Sequence, residues 1–481
     1  MKQSQEFSRL QRMLFPIYKN ELSKLIPLTV LFLMISFCYF TLRSLKDIYL
    51  IQHIGVEVIY YVKLFGVTPG IIFLTLFYSK LSQATDRDKR FNVMIAYFLV
   101  FFATSHFILV PHLELFQFNS LADRLHTSLP ALAHLWEAVR FWPLSLFYIH
   151  AEAWGVIGQG VLFWTFANEI TSLEQSRRLY SFLPLGFALA FLLEGFFLRH
   201  LKDQFRLILS FNLGLMSLIL VLYNGFAYYL KKYPTLVSAV PQPDEKPVKL
   251  SLVESFKFLA RSQYLSLIAT IVLSYGVVTS LFEALWKSKV KAWAAGSTSL
   301  LVEVYGTQAT VGGLLALLLT LFVSAPIMNR GWRFAASIAP IAALVATSLF
   351  FAGLFFQDSL GSLTSLLFDN SLSAIVYTGL FTLTFIKIAR YIIFDPNKER
   401  AYIPLDEESK IRGKAAVDGL GARLGKSLGS LIVTMILVPT LGSIEQAKYV
   451  IFILILTTLV LWLKAVNKLS VLFKQRAEEQ Q

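Results

Sequence analysis

Apolar positions along the chain gather into long runs, separated by shorter polar stretches rich in Lys and Arg. A helix needs about 20 consecutive apolar residues to cross the hydrocarbon of a bilayer. Twelve runs reach or approach that length: 26–42, 60–78, 91–110, 141–167, 179–198, 207–229, 265–286, 306–326, 334–355, 363–388, a run ending near 438, and 449–463. The sixth and seventh are parted by a polar stretch that contains PQPDEKP, and 250–259 within it has the look of an amphipathic surface helix. The pattern predicts an all-α polytopic membrane protein with twelve transmembrane helices in two six-helix halves, a major-facilitator-like plan. Its parts are a leader (1–24), an N-terminal half (25–229), a linker (230–262), a C-terminal half (263–464) and a tail (465–481). The second run is interrupted by Lys63, Gly66, Pro69 and Gly70, and the tenth holds Asp369 and Asn370.

The runs are not uniformly apolar. The stretch 413–429, GKAAVDGLGARLGKSLG, leads without a break into SLIVTMILV. A helix through both carries Lys414, Asp418, Arg423 and Lys426 toward membrane depth. Gly421, Gly425 and Gly429 then form a smooth stripe for close helix packing, while Arg423 and Lys426 share another face. The letters GARLGKS resemble a phosphate-cradling loop, but three residues rather than four separate the glycines, and no strand pattern precedes them. Other charges punctuate the runs. Arg43, Lys46 and Asp47 close the first at helical spacing, Glu152 sits in the middle of the fourth with His150 and Gln159, and Glu194 lies in the fifth. Glu283 and Lys287 close the seventh as an i,i+4 pair. A charge near the bilayer centre costs roughly 2.5–3.5 kcal/mol on insertion scales, and such residues usually face a polar pathway. For the charges that end a run, the plainer alternative is a side chain snorkelling to the interface.

Composition fits a membrane protein: 56% of residues are apolar and 15% charged. The net charge of +14 is accounted for by basic cytoplasmic loops rather than by nucleic acid. With twelve spans the Lys/Arg-rich segments fall on one side, so both termini are expected in the cytoplasm. The polar leader has no small-residue cleavage site of a signal peptide. Cys38 is the only cysteine, so no intrachain disulfide forms. The seven His are scattered, and no metal-binding or paired-carboxylate motif points to an enzyme, a metal or a cofactor. A scaffold would not need buried cations on several separate spans.

Arg43, Lys46, Lys287, Arg423 and Lys426 form a set of cations in or beside spans one, seven and eleven, with Glu152 and Glu283 as anionic counterparts. Cations that converge on a cavity suit a polyanion, because phosphate oxygens accept charge-assisted hydrogen bonds. Tyr148, Trp154, Phe163 and Trp286 are candidates to stack a base, against the plainer reading of core or lipid-facing packing. In the empty protein the cations would pair with Glu152 and Glu283, and loading would exchange those partners.

TLRSLKD, YVKLFGVTPG, FYIHAEAWG with LFWTFANEIT, FEALWKSKVK and, above all, DPNKERAYIPLDEESKIRGKAAVDGLGARLGKSLGSLI resemble the nucleotide transporters (ATP/ADP translocases) of plastids and obligate intracellular bacteria, the chlamydial branch most closely. The resemblance runs from about Ile26 to Leu463. It implies a transporter in a bacterial inner membrane that acts by alternating access on nucleotide substrates. Matched motif to motif, the family's functional charges fall on Lys46, Glu152, Glu283 and Lys426, and Asn168 in LFWTFAN joins Arg43, Lys287 and Arg423 in the expected site. Departures lie beside that site: Ala153 and Val156 flank Trp154-Gly155 where the family usually has Leu and Ser, Thr165 stands where Gly is usual, and Ser44 where many bacterial members have Pro. The family includes ATP/ADP exchangers, exchangers of other nucleotides (GTP, UTP, CTP or NAD) and proton-coupled importers. ATP/ADP exchange by a monomer is the first expectation. Import with protons carried by His150, Glu152 or Asp369, or exchange of another nucleotide, is the alternative.

Overall fold

The computed structural model describes residues 21–171, 175, 183–234, 261–323, 327, 330–357, 359, 368–405, 417 and 422–479. Among these residues the fold is helical with no strand. The long helices are α1 (Leu22–His53), α2 (Val56–Ala84), α3 (Arg87–Leu109), α4 (142–170), α5 (Leu183–His200), α6 (Phe205–Lys232), α7 (Gln263–Ala294), α8 (Thr298–Leu318), α9 (Trp332–Phe355), α10 (Ser371–Ala401), α11 (422–441) and α12 (Lys448–Glu479). Nine of them (α1, α2, α3, α6 to α10 and α12) are long and apolar enough to cross a membrane, while α4, α5 and α11 occupy the remaining expected positions. The 250–259 segment, most of the linker and residues 406–416 lie outside the described residues. Large apolar side chains such as Phe73, Val221, Leu349 and Ile453 point outward. In water such a surface would mark an aggregation hazard; here it meets lipid, and the chain is a multi-pass membrane protein.

Several runs end later than their apolar letters indicate. α1 continues past residue 42 to His53, and α7 past residue 286 to Ala294. Arg43, Lys46, Asp47, Glu283 and Lys287 are therefore helix-interior residues rather than snorkelling ends. α10 begins at Ser371 and runs to Ala401. Asp369 and Asn370 consequently precede it, with Asn370 capping its first turn reciprocally with Ser373. In each case a charge is tolerated in the helix interior because it meets an opposite charge there, so the helix has no reason to stop. The expected loop at 79–90 shrinks to two residues between Ala84 and Arg87.

Widened turns with an extra residue interrupt α2 (Val62–Val67), α4 (Gly155–Phe163), α10 (Arg390–Phe394) and α11 (Ile432–Leu437). Such turns re-aim side chains and recur at functional sites. The one in α4 starts where Gly155 lies under the ring of Tyr39, leaving no room for a Cβ.

α1 packs on α4, α5 and α6, and α7 packs on α10, α11 and α12, so each is the central rod of its own set. The most extensive meeting of the two sets is the α5–α8 seam. Its backbones touch: a Cβ on Gly313 would stand 2.6 Å from the Leu192 Cα, and one on Gly195 would stand 2.7 Å from the Gly306 carbonyl oxygen. At the end of the bundle where α5 leads to α6 and α7 to α8, the sets are also tied by polar contacts. Lys202 Nζ lies 2.8 Å from Glu303 Oε2, Ser299 donates to Asp203 at 2.6 Å, and the Tyr61 hydroxyl donates to the Thr434 carbonyl at 2.9 Å. At the opposite end the described polar contacts stay within one set. Asp88 meets Arg87, Lys231 and Tyr223; Lys24 donates to the Ile170 carbonyl; and Trp332 donates to the Asn397 carbonyl.

Candidate functional site

The central charges form one continuous chain across the bundle. Glu152 Oε1 of α4 lies 3.0 Å from Lys46 Nζ of α1, and Lys46 Nζ lies 3.0 Å from Asp47 Oδ1. Asp47 Oδ2 is 2.7 Å from Lys287 Nζ of α7, which is 3.3 Å from Glu283 Oε1 one turn earlier. Glu283 also receives Lys387 of α10 at 3.2 Å and Lys63 of α2 at 3.6 Å. The Asp47–Lys287 pair therefore joins the two helix sets at their central rods. Lys46, Asp47 and Lys287 are at most 3% exposed, and the ammonium of Lys46 also rests 3.8 Å over the Tyr148 ring. Desolvation makes such pairs poor net stabilisers, but removing one partner leaves a buried charge and costs about 3–5 kcal/mol.

Two cavities open beside this chain. One, of about 230 Å³, is lined by Arg43, Lys46, Lys63, Lys387 and Arg390 with Glu152 and Glu283, together with the hydroxyl residues Thr68, Thr279, Ser280, Ser427 and Ser430. Its wall thus carries five cations against two carboxylates. The Arg390 guanidinium is held 4.6 Å over the Tyr275 ring and 3.3 Å from Asp395 Oδ2. The second cavity, of about 270 Å³, has an aromatic and aliphatic wall from Phe40, Phe187, Phe191, Tyr305, Ile388 and Ile392. Arg43, Glu283 and Lys387 line both, so the cavities adjoin through the charged centre. A cationic, hydroxyl-rich compartment next to an aromatic one matches a ligand with a polyanionic end and a flat, weakly polar end.

The family model described as "TLC ATP/ADP transporter" matches residues 1–473. The chain belongs to the TLC ATP/ADP transporter family. ADP,ATP carrier protein 1 of Chlamydia muridarum is 32% identical over 97% of this chain and 92% of its own length. The chloroplastic ADP,ATP carrier protein 1 of Arabidopsis thaliana is 32% identical over 97% of this chain and 77% of its own length. ADP,ATP carrier protein 1 of Rickettsia typhi is 31% identical over 96% of both chains. Among solved structures, a bacterial homologue of the iron transporter ferroportin matches with a TM-score of 0.56 over 94% of this chain and 100% of its own, at 15% identity. That likeness concerns the fold alone.

Of the residues that the sequence and the TLC resemblance single out, Lys46, Glu152, Glu283, Lys287 and Arg43 are brought together at the centre. Arg423 and Lys426 belong to α11, but their side chains, like Gly421, Lys414 and Asp418, lie outside the described residues. The described part of the glycine stripe does what its spacing predicts. A Cβ on Gly425 would stand 3.0 Å from the Leu273 carbonyl oxygen of α7, and Gly429 presses on Ser280. That contact brings Ser427 and Ser430 to the polar cavity.

Asn168 is placed apart from these residues. It is exposed near the end of α4 and lines neither cavity. It stands 16 residues beyond Glu152, roughly 24 Å along the helix at about 1.5 Å per residue.

Of the candidate stacking aromatics, Tyr148 lies under Lys46 and the other three are packed in the core. Trp154 donates to the Ile35 carbonyl at 3.2 Å and Trp286 to the Val376 carbonyl at 2.9 Å, while Phe163 packs on Phe32 at 4.4 Å. Their polar or flat faces are already used in the core. His150 bonds Tyr97 at 2.8 Å, stacks on Phe101 at 3.5 Å and lines neither cavity. Of the three candidate proton carriers, only Glu152 lines a cavity.

Sequence reasoning passed over Lys63, Lys387 and Arg390 as site residues. Lys63 was readable only as an interruption of an apolar run. Lys387 and Arg390 are three apart on one helix face, a signal hidden by ending the tenth run at residue 388.

Proposed function

We propose that this protein exchanges ATP for ADP across a bacterial inner membrane by alternating access, as a monomer, with α1–α6 and α7–α12 as the two moving halves. The observation that carries the reading is the cationic cavity at the junction of the two sets, lined by a single chain. A polyphosphate supplies the anionic oxygens that this surplus of cations lacks. On entry it competes with Glu152, Asp47 and Glu283 for Lys46, Lys287, Lys63 and Lys387. Exchanging those partners loosens the Asp47–Lys287 tie between the halves, which is how binding couples to reorientation. Arg423 and Lys426 are assigned to the same site on the family motif. With the Lys/Arg-rich ends in the cytoplasm, the end tied by Lys202–Glu303 and Ser299–Asp203 is periplasmic. The state described here is then closed to the periplasm.

The test is uptake of radiolabelled ATP into proteoliposomes containing only this protein, loaded with ADP, loaded with other nucleotides, or empty, with and without a proton gradient. Uptake that requires internal ADP and ignores the gradient is expected. Uptake into empty vesicles that follows the gradient would overturn exchange in favour of proton-coupled import, with Glu152 as the titrating group in the cavity.

A further inference from the structure

The aromatic cavity holds polar groups that its apolar wall does not explain. Tyr305 Oη and Gln308 Nε2 of α8 and Thr384 Oγ1 of α10 are buried and have no hydrogen-bond partner among the described residues, and all three residues line this cavity. Buried polar groups are nearly always paired, so three unpaired ones around one cavity call for an occupant with its own donors and acceptors. The same cavity has an aromatic wall. The Phe40 and Phe191 rings stack at 4.4 Å with 25° between their planes, and Phe187 leans on Phe40 at 4.7 Å. Flat walls of this kind accept a flat, heteroatom-rich ring. The cavity shares the side chains of Arg43, Glu283 and Lys387 with the cationic compartment, so the two lie next to each other across that charged wall.

We infer that the aromatic cavity seats the nucleobase and that the Gln308 amide reads its edge as adenine. This rests on the nucleotide reading of the cationic cavity. A glutamine amide offers one donor and one acceptor side by side, which matches the amino group and the neighbouring ring nitrogen of adenine in a bidentate pair. The Tyr305 and Thr384 hydroxyls supply further partners to the base or its ribose. Gln308 is a specificity residue here, and the phosphates are held elsewhere, by Arg43, Lys46, Lys63 and Lys387.

The experiment is displacement of labelled ATP from the purified full-length protein by ATP, GTP, UTP, CTP and inorganic tripolyphosphate. Wild type is compared with Gln308→Leu and the near-isosteric Gln308→Glu, with thermal midpoints measured for each. Both variants are expected to weaken ATP roughly tenfold, to narrow the ratio between ATP and the other nucleotides, and to leave tripolyphosphate unchanged. A wild-type ranking of nucleotides in both variants, or a loss for tripolyphosphate equal to that for ATP, overturns the base assignment. Wild-type protein that binds neither ATP nor tripolyphosphate would instead sink the nucleotide reading on which the inference rests.

Discussion

The α5–α8 seam and the Glu152–Lys46–Asp47–Lys287–Glu283 chain both join the two helix sets, one by shape and the other by charge. At the seam, glycines let backbones touch, and in a bilayer such contact substitutes for the hydrophobic drive that lipid removes. No soluble ligand can replace a backbone-to-backbone fit. The charge chain differs in that each of its cations has carboxylate partners that an incoming phosphate can displace. A transporter that must separate its halves in response to cargo needs its cargo-sensitive tie to be of the second kind.

Breaking the comparison at the seam should have the largest effect. Gly313→Leu drives a side chain into the Leu192 backbone and is expected to abolish uptake and lower the thermal midpoint by several degrees; wild-type uptake kinetics would show that the seam is not close-packed. At the charge chain, Lys287→Met leaves Asp47 with Lys46 as its one remaining short-range cation. The expected cost is about 3 kcal/mol in stability, with transport lost. Asp47→Asn combined with Lys287→Met should regain most of the stability without regaining transport. Recovery of transport in the double variant would refute the role given to the tie. Lys63→Ala or Lys387→Ala removes a cation at the junction of the chain with the cavities, and each should weaken ATP roughly tenfold while the fold survives. Equal ATP affinity in both would remove these lysines from the site. The smallest effect belongs to Lys202→Ala. Its pair with Glu303 is 38% and 29% exposed, so a change below about 1 kcal/mol and uptake within about twofold of wild type are expected.

Much of this arrangement was legible in the chain itself, for identifiable physical reasons. Burial cost alone marked Lys46, Glu152, Glu283 and Lys287, since an unpaired charge at membrane depth is too unfavourable to be incidental. The four-residue spacing of Gly425 and Gly429 read correctly as a packing stripe. What sequence could not supply was the partner of each charge. Asp47 reads as one member of a charged span end until α1 is seen to continue past it and meet Lys287. Ending the apolar runs at 42, 286 and 388 cut α1, α7 and α10 short of His53, Ala294 and Ala401, and left Arg390 outside the run that holds Lys387. Of the two readings open for Trp154 and Trp286, core packing is the one their ring N–H groups take, each bonding a carbonyl inside the bundle, a fact of tertiary contact with no trace in composition.

The cation surplus of the polar cavity bears on membrane voltage. The five cations of the polar cavity have Glu152 and Glu283 on the same wall, and Lys46 and Arg390 are also paired with Asp47 and Asp395, so a nucleotide has to displace carboxylates to be matched there. Exchanging a triphosphate for a diphosphate carries one net charge across, worth about 2.3 kcal/mol per 100 mV. The direction of exchange would then be set by the membrane potential as well as by the two nucleotide pools.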